Sequence, residues 1–484
     1  MKKLVTLLLA AGLVLSAANG ASAVEAKAYG LWQHSFNWGG NIISPFKATK
    51  DSGDYQKHFD AIQRMRLGVN FIMSENLSAT YDVQIGNFTW GGAPADSLKL
   101  KDDKISGALT GQGGNSSENL GGRLGTRSAN ITTRLAYLDW IVPNTSVKVR
   151  MGQQLVALPS YTFGSPVLGG GGATATGIVV SAPITDNIGL TTMWLRADSG
   201  WRRANGSAKT TWHSSDNTDI ASVIGDLKFD GFRVQPWVTL GFIGKHSGSY
   251  APAGDNGKLG LTGGTTNDIG DNATAWWAGV SGELSMFDPF RLTADFIYNA
   301  VNGPDDKADK VSAWYAALGA EYKTAYGTPA LKGWYASGDK NPNDTDDHKR
   351  GRMLWLFGNF NATNTYYDGG YPLSMYFDNQ STNGTWGLSA QWNNLSFIEN
   401  LSHSASVTYV KGTNHSQNVS DPSKNYLTTK DSFVELDFST VYKIYQNLAA
   451  GLELGYIIED FDDNHGAIDY SNAWKAAVTF TYSF

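Results

Sequence analysis

The sequence predicts an all-β protein, a transmembrane antiparallel up-and-down β-barrel, and three observations lead to that prediction. The last eleven residues, 474–484, alternate without a break between apolar or aromatic side chains and small or polar ones. Such period-two alternation is typical of a strand with one apolar face and one wetted face. Segments of about ten residues of this kind recur, separated alternately by short turns and long loops, as in outer-membrane barrels. The N-terminus has the composition of an export signal.

The export signal occupies the first residues of the chain. Lys2 and Lys3 precede an apolar run over residues 4–15, and a small-x-small cleavage pattern follows it. The apolar run is too short to span a bilayer, so a secretory signal peptide is favoured over a membrane anchor. We therefore expect residues 1–23 to be a signal peptide and residues 24–484 to form a single transmembrane barrel domain.

Composition excludes several classes of function. The chain has no cysteine, which excludes disulfides, thiolate zinc sites and cysteine nucleophiles. A formal net charge of −6 argues against nucleic acid as a partner. The eight histidines show no pairing with a nucleophile or acid, so we expect no enzyme. We expect no cofactor and no metal, because the Asp-rich stretch 339–347 lacks the glycine and closing glutamate of a calcium loop.

The alternation starts weakly and becomes clear in the second segment. The first predicted strand, 25–36, has small residues at its even positions. In the second, 57–73, aliphatic and aromatic residues alternate with charged and amide residues, and the third, 77–89, repeats this pattern after a short turn at 74–76. The other strands are predicted over 129–142, 147–153, 173–182, 188–197, 219–229, 232–243, 273–284, 290–300, 311–323, 329–338, 383–392, 401–411, 431–444, 448–460 and 471–484.

The connections between strands set the strand count. Short turns rich in Gly, Asn, Asp and Pro alternate strictly with long polar loops, which favours hairpins throughout. Eighteen strands result, and both termini fall on the short-turn side. Sixteen is the alternative count, if the weak segments around 173–197 are misread. The third long loop, 155–172, differs from the others because it carries no charge.

Three stretches of the sequence carry a family resemblance. They are the signal MKKLVTLLLAAGLVLSAANGASA, the segment AYLDWIVPNTSVKVRMGQQLVALPSYTFGS over 136–165, and the closing TFTYSF. Together they resemble the outer-membrane homotrimeric porins of sulfate-reducing, Desulfovibrio-type bacteria. The similarity extends over the whole chain in layout and is most specific in the 136–165 segment.

This resemblance implies a function and a set of partners. It implies a homotrimeric channel for ions and small hydrophilic solutes in the outer membrane of a Gram-negative bacterium, inserted by the barrel-assembly machinery through the C-terminal strand. General porins also fold their third long loop into the barrel, which implies a constriction role for 155–172. The constriction residues implied there are Leu158, Pro159, Tyr161 and Phe163. Many general porins carry acidic residues in this loop, whereas this chain has none.

Strand parity predicts which charged residues face the lumen. If the aromatic and aliphatic positions face lipid, the opposite parity carries a basic wall and an acidic wall. Opposed walls would place a transverse field across the lumen and filter solutes by charge, although scattered solvated charges are the alternative interpretation. The basic wall would comprise Arg64, Arg66, Arg134, Lys148 and Arg150, and the acidic wall Asp295, Glu435, Asp437 and Glu453.

The aromatic residues fall mostly on the lipid-facing parity near strand ends, which favours an interfacial girdle. A sugar-binding track inside the lumen would need inward aromatics, and only Trp237, Trp277 and Trp90 qualify. The girdle would comprise Trp276, Phe290, Tyr298, Trp314, Tyr322, Trp386, Trp392, Tyr442, Trp474, Tyr482 and Phe484.

The sequence therefore favours a porin for passive diffusion, and three alternatives stay open. The first is a substrate-selective outer-membrane channel. The second is a structural or adhesive surface barrel, with partners bound by the loops 91–127 and 339–381. The third is a secreted soluble β-rich binding protein.

Overall fold

A computed structural model shows eighteen long strands and no helix in the part of the chain that it describes. The described residues are 24–42, 47–48, 57–90, 131–169, 173–198, 217–244, 272–302, 311–343, 351–367, 369–374, 382, 384–418, 426–462 and 469–484. The predicted signal peptide lies outside these residues. No described helix has the length and apolar character needed to cross a membrane.

The strands are numbered here in chain order. They are β1 Glu25–Gly40, β2 Lys57–Ser74, β3 Leu77–Thr89, β4 Ile131–Ile141, β5 Lys148–Leu155, β6 Thr174–Pro183, β7 Ile188–Asp198, β8 Thr218–Phe229, β9 Phe232–Ile243, β10 Ala273–Leu284, β11 Phe290–Asn302, β12 Val311–Tyr322, β13 Thr328–Ala336, β14 Thr385–Ile398, β15 Leu401–Gly412, β16 Ser432–Tyr445, β17 Leu448–Asp460 and β18 Ala473–Ser483.

The sheet closes on itself as an up-and-down barrel. Each strand pairs antiparallel with its neighbours in the chain, and β1 pairs with both β2 and β18. At the seam, Trp32 lies opposite Tyr482, and the main chains of Gly30 and Phe484 exchange hydrogen bonds of 2.8 and 3.0 Å. The predicted eighteen-strand barrel is thus confirmed, and the sixteen-strand alternative is wrong. Closure leaves no strand edge without a partner, as a bilayer requires.

Side-chain burial alternates along the strands as the sequence pattern predicts. On β12, Val311, Ala313 and Tyr315 are buried on the inner side, whereas Trp314 and Leu318, which have the opposite parity, are exposed on the outer side. A large apolar surface exposed in this way suits a hydrocarbon environment rather than water. Several predicted girdle residues are exposed on the outer side, among them Trp392, Tyr442, Trp474, Tyr482 and Phe484.

The short turns have the backbone conformations that their residues favour. Asn144 and Asn400 have φ of 61° and 64°, a left-handed region that asparagine tolerates better than most residues. Gly231 has φ of 67°, and a Cβ there would lie 2.7 Å from Met286 of the next turn. This position therefore requires glycine.

Candidate functional site: the barrel interior

The five predicted basic residues lie together on the inner face of β2–β5, here called the basic side. Arg64 and Arg66 follow the inward parity of β2, and Lys148 and Arg150 that of β5. Arg134 is displaced by a β-bulge between β3 and β4, which explains the imperfect alternation of β4. Its guanidinium still reaches the inner side of β3.

Two carboxylates that the predicted basic wall did not include form ion pairs with these cations. Asp139 accepts two hydrogen bonds from Arg150, of 2.6 and 2.7 Å, and forms an ion pair of 2.9 Å with Lys148. Asp82, which is buried, forms a 3.3 Å ion pair with Arg134. Both acids stand on inward positions of β3 and β4, so the same parity rule could have found them.

The other two arginines of the basic side bond to neutral amides. Arg66 donates a 3.0 Å hydrogen bond to Gln84. Arg64 donates two, of 2.6 and 3.1 Å, to Gln33 of β1. With five cations and three carboxylates, the third being Asp60 of β2, this side of the interior has an excess of positive charge.

The third long loop, between β5 and β6, contacts the inner side of β9–β11. The carboxylate of Asp295 accepts 2.9 Å hydrogen bonds from the backbone N–H groups of Tyr161 and Thr162. The hydroxyl of Ser281 donates to the carbonyl of Pro159 at 2.9 Å, and the Tyr161 hydroxyl donates to Gln235 at 2.8 Å. Since all these partners have inward parity, the contacts lie on the interior side of the sheet.

Two of the predicted constriction residues pack into a core. Leu158 and Phe163 are each 3% exposed, and the Phe163 ring contacts the rings of Trp334 and Phe360 at centroid distances of 5.2 and 5.7 Å. Pro159 and Tyr161 are half-buried. Burial raises the pKa of Tyr161, so its hydroxyl remains a protonated donor at neutral pH.

A second segment, residues 351–367 and 369–374, also contacts the inner side of the barrel and pairs with the third loop. Val167 accepts 3.0 Å hydrogen bonds from the backbone N–H groups of Leu356 and Phe357. Further backbone bonds join Asn359 to Ser165 at 2.8 Å and Asn361 to Phe163 at 3.0 Å. The two segments thereby form one hydrogen-bonded layer, here called the inner layer.

Aromatic packing fixes the inner layer to the barrel. Phe360, Tyr366 and Tyr367 are fully buried and contact one another and the rings of Trp334 and Phe433. Packed rings of this kind contribute strongly to a core because each buries a large apolar area.

Of the three tryptophans considered for a sugar-binding track, two are buried and one lies on the outer side. The indole of Trp277, fully buried, donates a 3.1 Å hydrogen bond to the carbonyl of Leu354. Trp237 is 3% exposed. Trp90 lies on the outer side, where its ring contacts Phe36.

The carboxylates predicted as an acidic wall are buried and accept hydrogen bonds from the inner layer. Glu435, which is fully buried, accepts from the backbone N–H groups of Thr365 and Tyr366, at 2.7 and 3.2 Å. Asp437 accepts from the N–H of Asn364 at 3.3 Å. Asp295 likewise accepts hydrogen bonds from backbone N–H groups of the third loop. Whether these groups also exert a field on solutes stays a prediction.

Glu453 and Lys475 complete this anchorage. Glu453 accepts a 2.6 Å hydrogen bond from the N–H of Tyr371 and forms an ion pair with Lys475, both side chains being almost wholly buried. The ammonium of Lys475 also donates to the carbonyl of Asn364 at 2.7 Å. Strands β16, β17 and β18 thus each supply a charged side chain that holds residues 364–374. We call Glu435, Asp437, Glu453 and Lys475 the charged clamp.

A further charged network on β10–β13 was not predicted from the sequence. Arg291 bonds to Glu283 and Glu321, and Lys332 bonds to Glu321, with N–O distances of 2.8–3.1 Å. Acidic and basic side chains alternate along these inner positions, so their charges cancel in this part of the interior. The signal was available in the sequence, because each member has inward parity at the short-turn end of its strand.

The Asp-rich stretch shows no metal site in its described part. Asp339 forms an ion pair of 2.7 Å with Arg352. No cluster of three or more His, Asp or Glu side chains suited to a metal ion occurs among the described residues.

Comparison with known proteins finds similarity in fold. The outer-membrane protein OprD of Pseudomonas aeruginosa matches with a TM-score of 0.50 and 11% identity, covering 97% of this chain and 96% of its own. OpdK of the same organism, crystallised with vanillate, matches with a TM-score of 0.52 and 10% identity, covering 95% and 98%. OccAB4 of Acinetobacter baumannii matches with a TM-score of 0.50 and 10% identity, covering 95% and 98%. The chain folds as these proteins fold. No protein-family model matches the chain, and no curated protein sequence matches it.

Proposed function

We propose that this chain is an outer-membrane porin, a water-filled channel for the passive diffusion of ions and small hydrophilic solutes. One observation carries the proposal. The closed barrel exposes apolar side chains outwards, whereas its basic side turns charged side chains inwards, and the carboxylates that hold the inner layer stand on β11, β16 and β17 instead. A lumen lined by charge needs water, and a barrel of this size has room for it. Neither an enzymatic reaction nor nucleic-acid binding is part of the proposal.

The basic side would give the channel a preference for anions. Charged walls set the selectivity of pores, and the excess of cations here lies on neighbouring strands. The test is the reversal potential of the purified protein in a planar bilayer under a salt gradient. Neutralising Arg64, Arg66, Lys148 and Arg150 together should move the preference towards cations. An unchanged potential would reject the anion preference, and zero conductance of the wild-type protein would favour a structural surface barrel instead.

The third loop would narrow this channel. Leu158, Pro159, Tyr161 and Phe163 belong to a segment that bonds to β9–β11, away from the strands β5 and β6 that flank it. Pro159 and Tyr161 would border the water path, and Leu158 and Phe163 would hold the segment in place through their packing.

A homotrimer of the Desulfovibrio porin type is proposed, with β1 at the contact between subunits. The outer side of β1 is small at Ala26, Ala28 and Gly30. Further along, it places His34 beside Gln63, and the buried Nδ1 of His34 has no hydrogen-bond partner. Polar groups on a lipid-facing surface are costly unless protein covers them. Chemical crosslinking should give a three-subunit band, and migration as a monomer in native gels would reject the proposal.

We further propose that the mature protein resides in the outer membrane of a Gram-negative bacterium. Removal of residues 1–23 would precede insertion, and the barrel-assembly machinery would read the C-terminal strand with its terminal Phe484. Recovery of the protein in the outer-membrane fraction, with heat-modifiable gel mobility, is expected. Recovery in a soluble fraction would favour a secreted binding protein.

A substrate-selective channel is the second candidate. OpdK, which has a similar fold, was crystallised with vanillate, so a barrel of this architecture can bind a small organic anion. Saturable flux of one solute would favour this candidate over general diffusion.

A further inference from the structure

We propose that the outer face of β9–β14 holds a binding site for one phospholipid with two acyl chains and a zwitterionic head group. The inference rests on the proposed function only in placing this face within an outer membrane. A groove of about 1230 Å³ runs across these strands, and its outward side chains are aliphatic or aromatic. That volume exceeds the range of about 300–1,000 Å³ for sites of small soluble molecules, so a larger apolar ligand is expected.

Small residues surround one protruding leucine in this groove. Leu318 of β12 is 67% exposed, and Ala316 and Ala320 precede and follow it on the outer side of the same strand. Ala294 of β11 and Gly333 of β13 lie opposite Leu318 on its two sides. Space is therefore left on both sides of Leu318, and one acyl chain of a phospholipid fits on each side.

Aromatic pairs place the groove at the depth of the hydrocarbon. At one end, the rings of Trp314 and Tyr335 stack with centroids 4.7 Å apart and line the groove. At the short-turn end, the rings of Phe290 and Tyr322 contact each other with centroids 4.8 Å apart. Pairs of this kind belong at the two membrane–water interfaces, and the groove lies between them.

The head group would lie at the short turns, which face the periplasm in outer-membrane barrels. Asp288 stands in the turn between β10 and β11, and Lys323 in the turn between β12 and β13; both are exposed. The backbone N–H of Lys323 donates a 2.9 Å hydrogen bond to the carbonyl of Pro289, so the two turns are in contact.

These two charges match a zwitterionic head group. Within the described ranges of the chain, neither Asp288 nor Lys323 forms an ion pair. Lys323 would pair with the phosphate, and Asp288 with an ammonium group. Tyr326, 61% exposed in the same turn as Lys323, adds a hydroxyl donor at this end.

The position of the groove in the barrel favours lipid over a second copy of the chain. In the closed sheet, β10 is the strand farthest from β1, and the groove is centred on its neighbours β11 and β12. A homotrimer with its contacts at β1 would therefore leave this face turned towards lipid.

The test measures phospholipid binding to the purified protein, freed of lipid in detergent, by native mass spectrometry. Titration with phosphatidylethanolamine should give one bound molecule per subunit, with an affinity about tenfold higher than for phosphatidylglycerol, which lacks the ammonium group. Equal affinity for the two phospholipids, or tighter binding of lipid A, would overturn the proposal.

Two variants and a matched control locate the bound lipid. Ala316→Phe fills the groove and should lower the affinity for phosphatidylethanolamine about tenfold, whereas Asp288→Asn should remove its advantage over phosphatidylglycerol. Ala405→Phe makes the same substitution at an exposed outward position of β15, away from the groove, and should bind as the wild type does. Heat-modifiable gel mobility verifies that each variant is folded.

The remaining outcomes separate this site from the channel function. Equal affinity in Ala316→Phe and Ala405→Phe would overturn the site, as would a mass of two chains that Ala316→Phe abolishes, since that result assigns the face to a second copy. Conductance in a planar bilayer should be the same in Ala316→Phe and wild type. Absence of conductance in the wild-type protein would reject the porin function and leave the lipid titration valid.

Discussion

The basic side of the interior and the side that carries the charged clamp follow one sequence rule yet serve different purposes. Both are built from inward positions of alternating strands. On the basic side Lys148 and Arg150 stay partly exposed, and the ion pairs join side chains of adjacent strands. On the other side the carboxylates are buried and receive backbone N–H groups from a segment far away in the sequence. The strand position of a charged residue therefore does not determine its role. The role depends on whether another segment of the chain covers that residue.

The energetic consequences of the two arrangements also differ. A half-exposed ion pair contributes little to stability, about 0–1 kcal/mol. Removing one partner of a buried pair leaves the other charge uncompensated and costs about 3–5 kcal/mol. Substitutions in the clamp should therefore act on structure and pore width, and substitutions on the basic side mainly on selectivity.

The largest effect is expected from Lys475→Met. This change leaves the buried Glu453 without its cation and removes a donor to residue 364, so it should lower stability by about 3–5 kcal/mol and loosen the 364–374 segment. Single-channel conductance should rise, and thermal unfolding should begin earlier. Lys430→Met is the matched control, because Lys430 pairs with Asp462 near the surface. Identical conductance in Lys475→Met and wild type would contradict the clamp.

Asp295→Asn should have the next largest effect. The amide keeps the size of the side chain but replaces the charged carboxylate that accepts hydrogen bonds from the N–H groups of Tyr161 and Thr162. The loss should lower the free energy of unfolding by about 1.5–3 kcal/mol. We expect a wider and noisier open state in single-channel recordings. Asp219→Asn breaks an ion pair with Arg196 without touching the third loop, and it should leave the noise unchanged.

Asp139→Asn should change selectivity rather than structure. It removes one of the three carboxylates of the basic side, so the reversal potential in a salt gradient should move further towards the value for a purely anion-selective channel. The temperature of thermal unfolding should shift only slightly, since Lys148 and Arg150 are both partly exposed. A reversal potential that moves towards cations would contradict the assignment of this side as anion-selective.

Tyr161→Phe should give the smallest effect. The change removes a single 2.8 Å hydrogen bond to Gln235, worth about 0.5–1.5 kcal/mol, while the backbone contacts with Asp295 remain. A slight increase in conductance is expected. Tyr298→Phe, which loses a hydroxyl contact with Ser312 on the outer side, provides the control.

The strands could be predicted from the sequence because their signal is local. Alternation in β18 defines both of its faces without reference to any other segment, and turn residues such as Asn144 mark where a hairpin reverses. The same local rule predicts an inward position for Arg66 and Lys148.

The burial of the acidic residues beneath a folded-back loop could not be predicted in this way. The sequence predicts a long loop over 339–381, and strand parity carries no information about a loop that folds back into the barrel. A partial signal was present, because the run MLWLFGNFNATNTYY over 353–367 is too apolar for a solvated loop. Such a run needs a surface to pack against, and Trp334 and Phe433 supply it.

The charged clamp also has a consequence for the order in which the molecule assembles. Its contacts join residues 364–374 to strands that come 69–111 residues later in the chain. Contacts over such separations form late, because the intervening chain must be ordered first. The folding barrel would therefore pass through a state with its strands paired and its interior still wide. Narrowing of the interior is then the final step of maturation, and it waits for the last three strands.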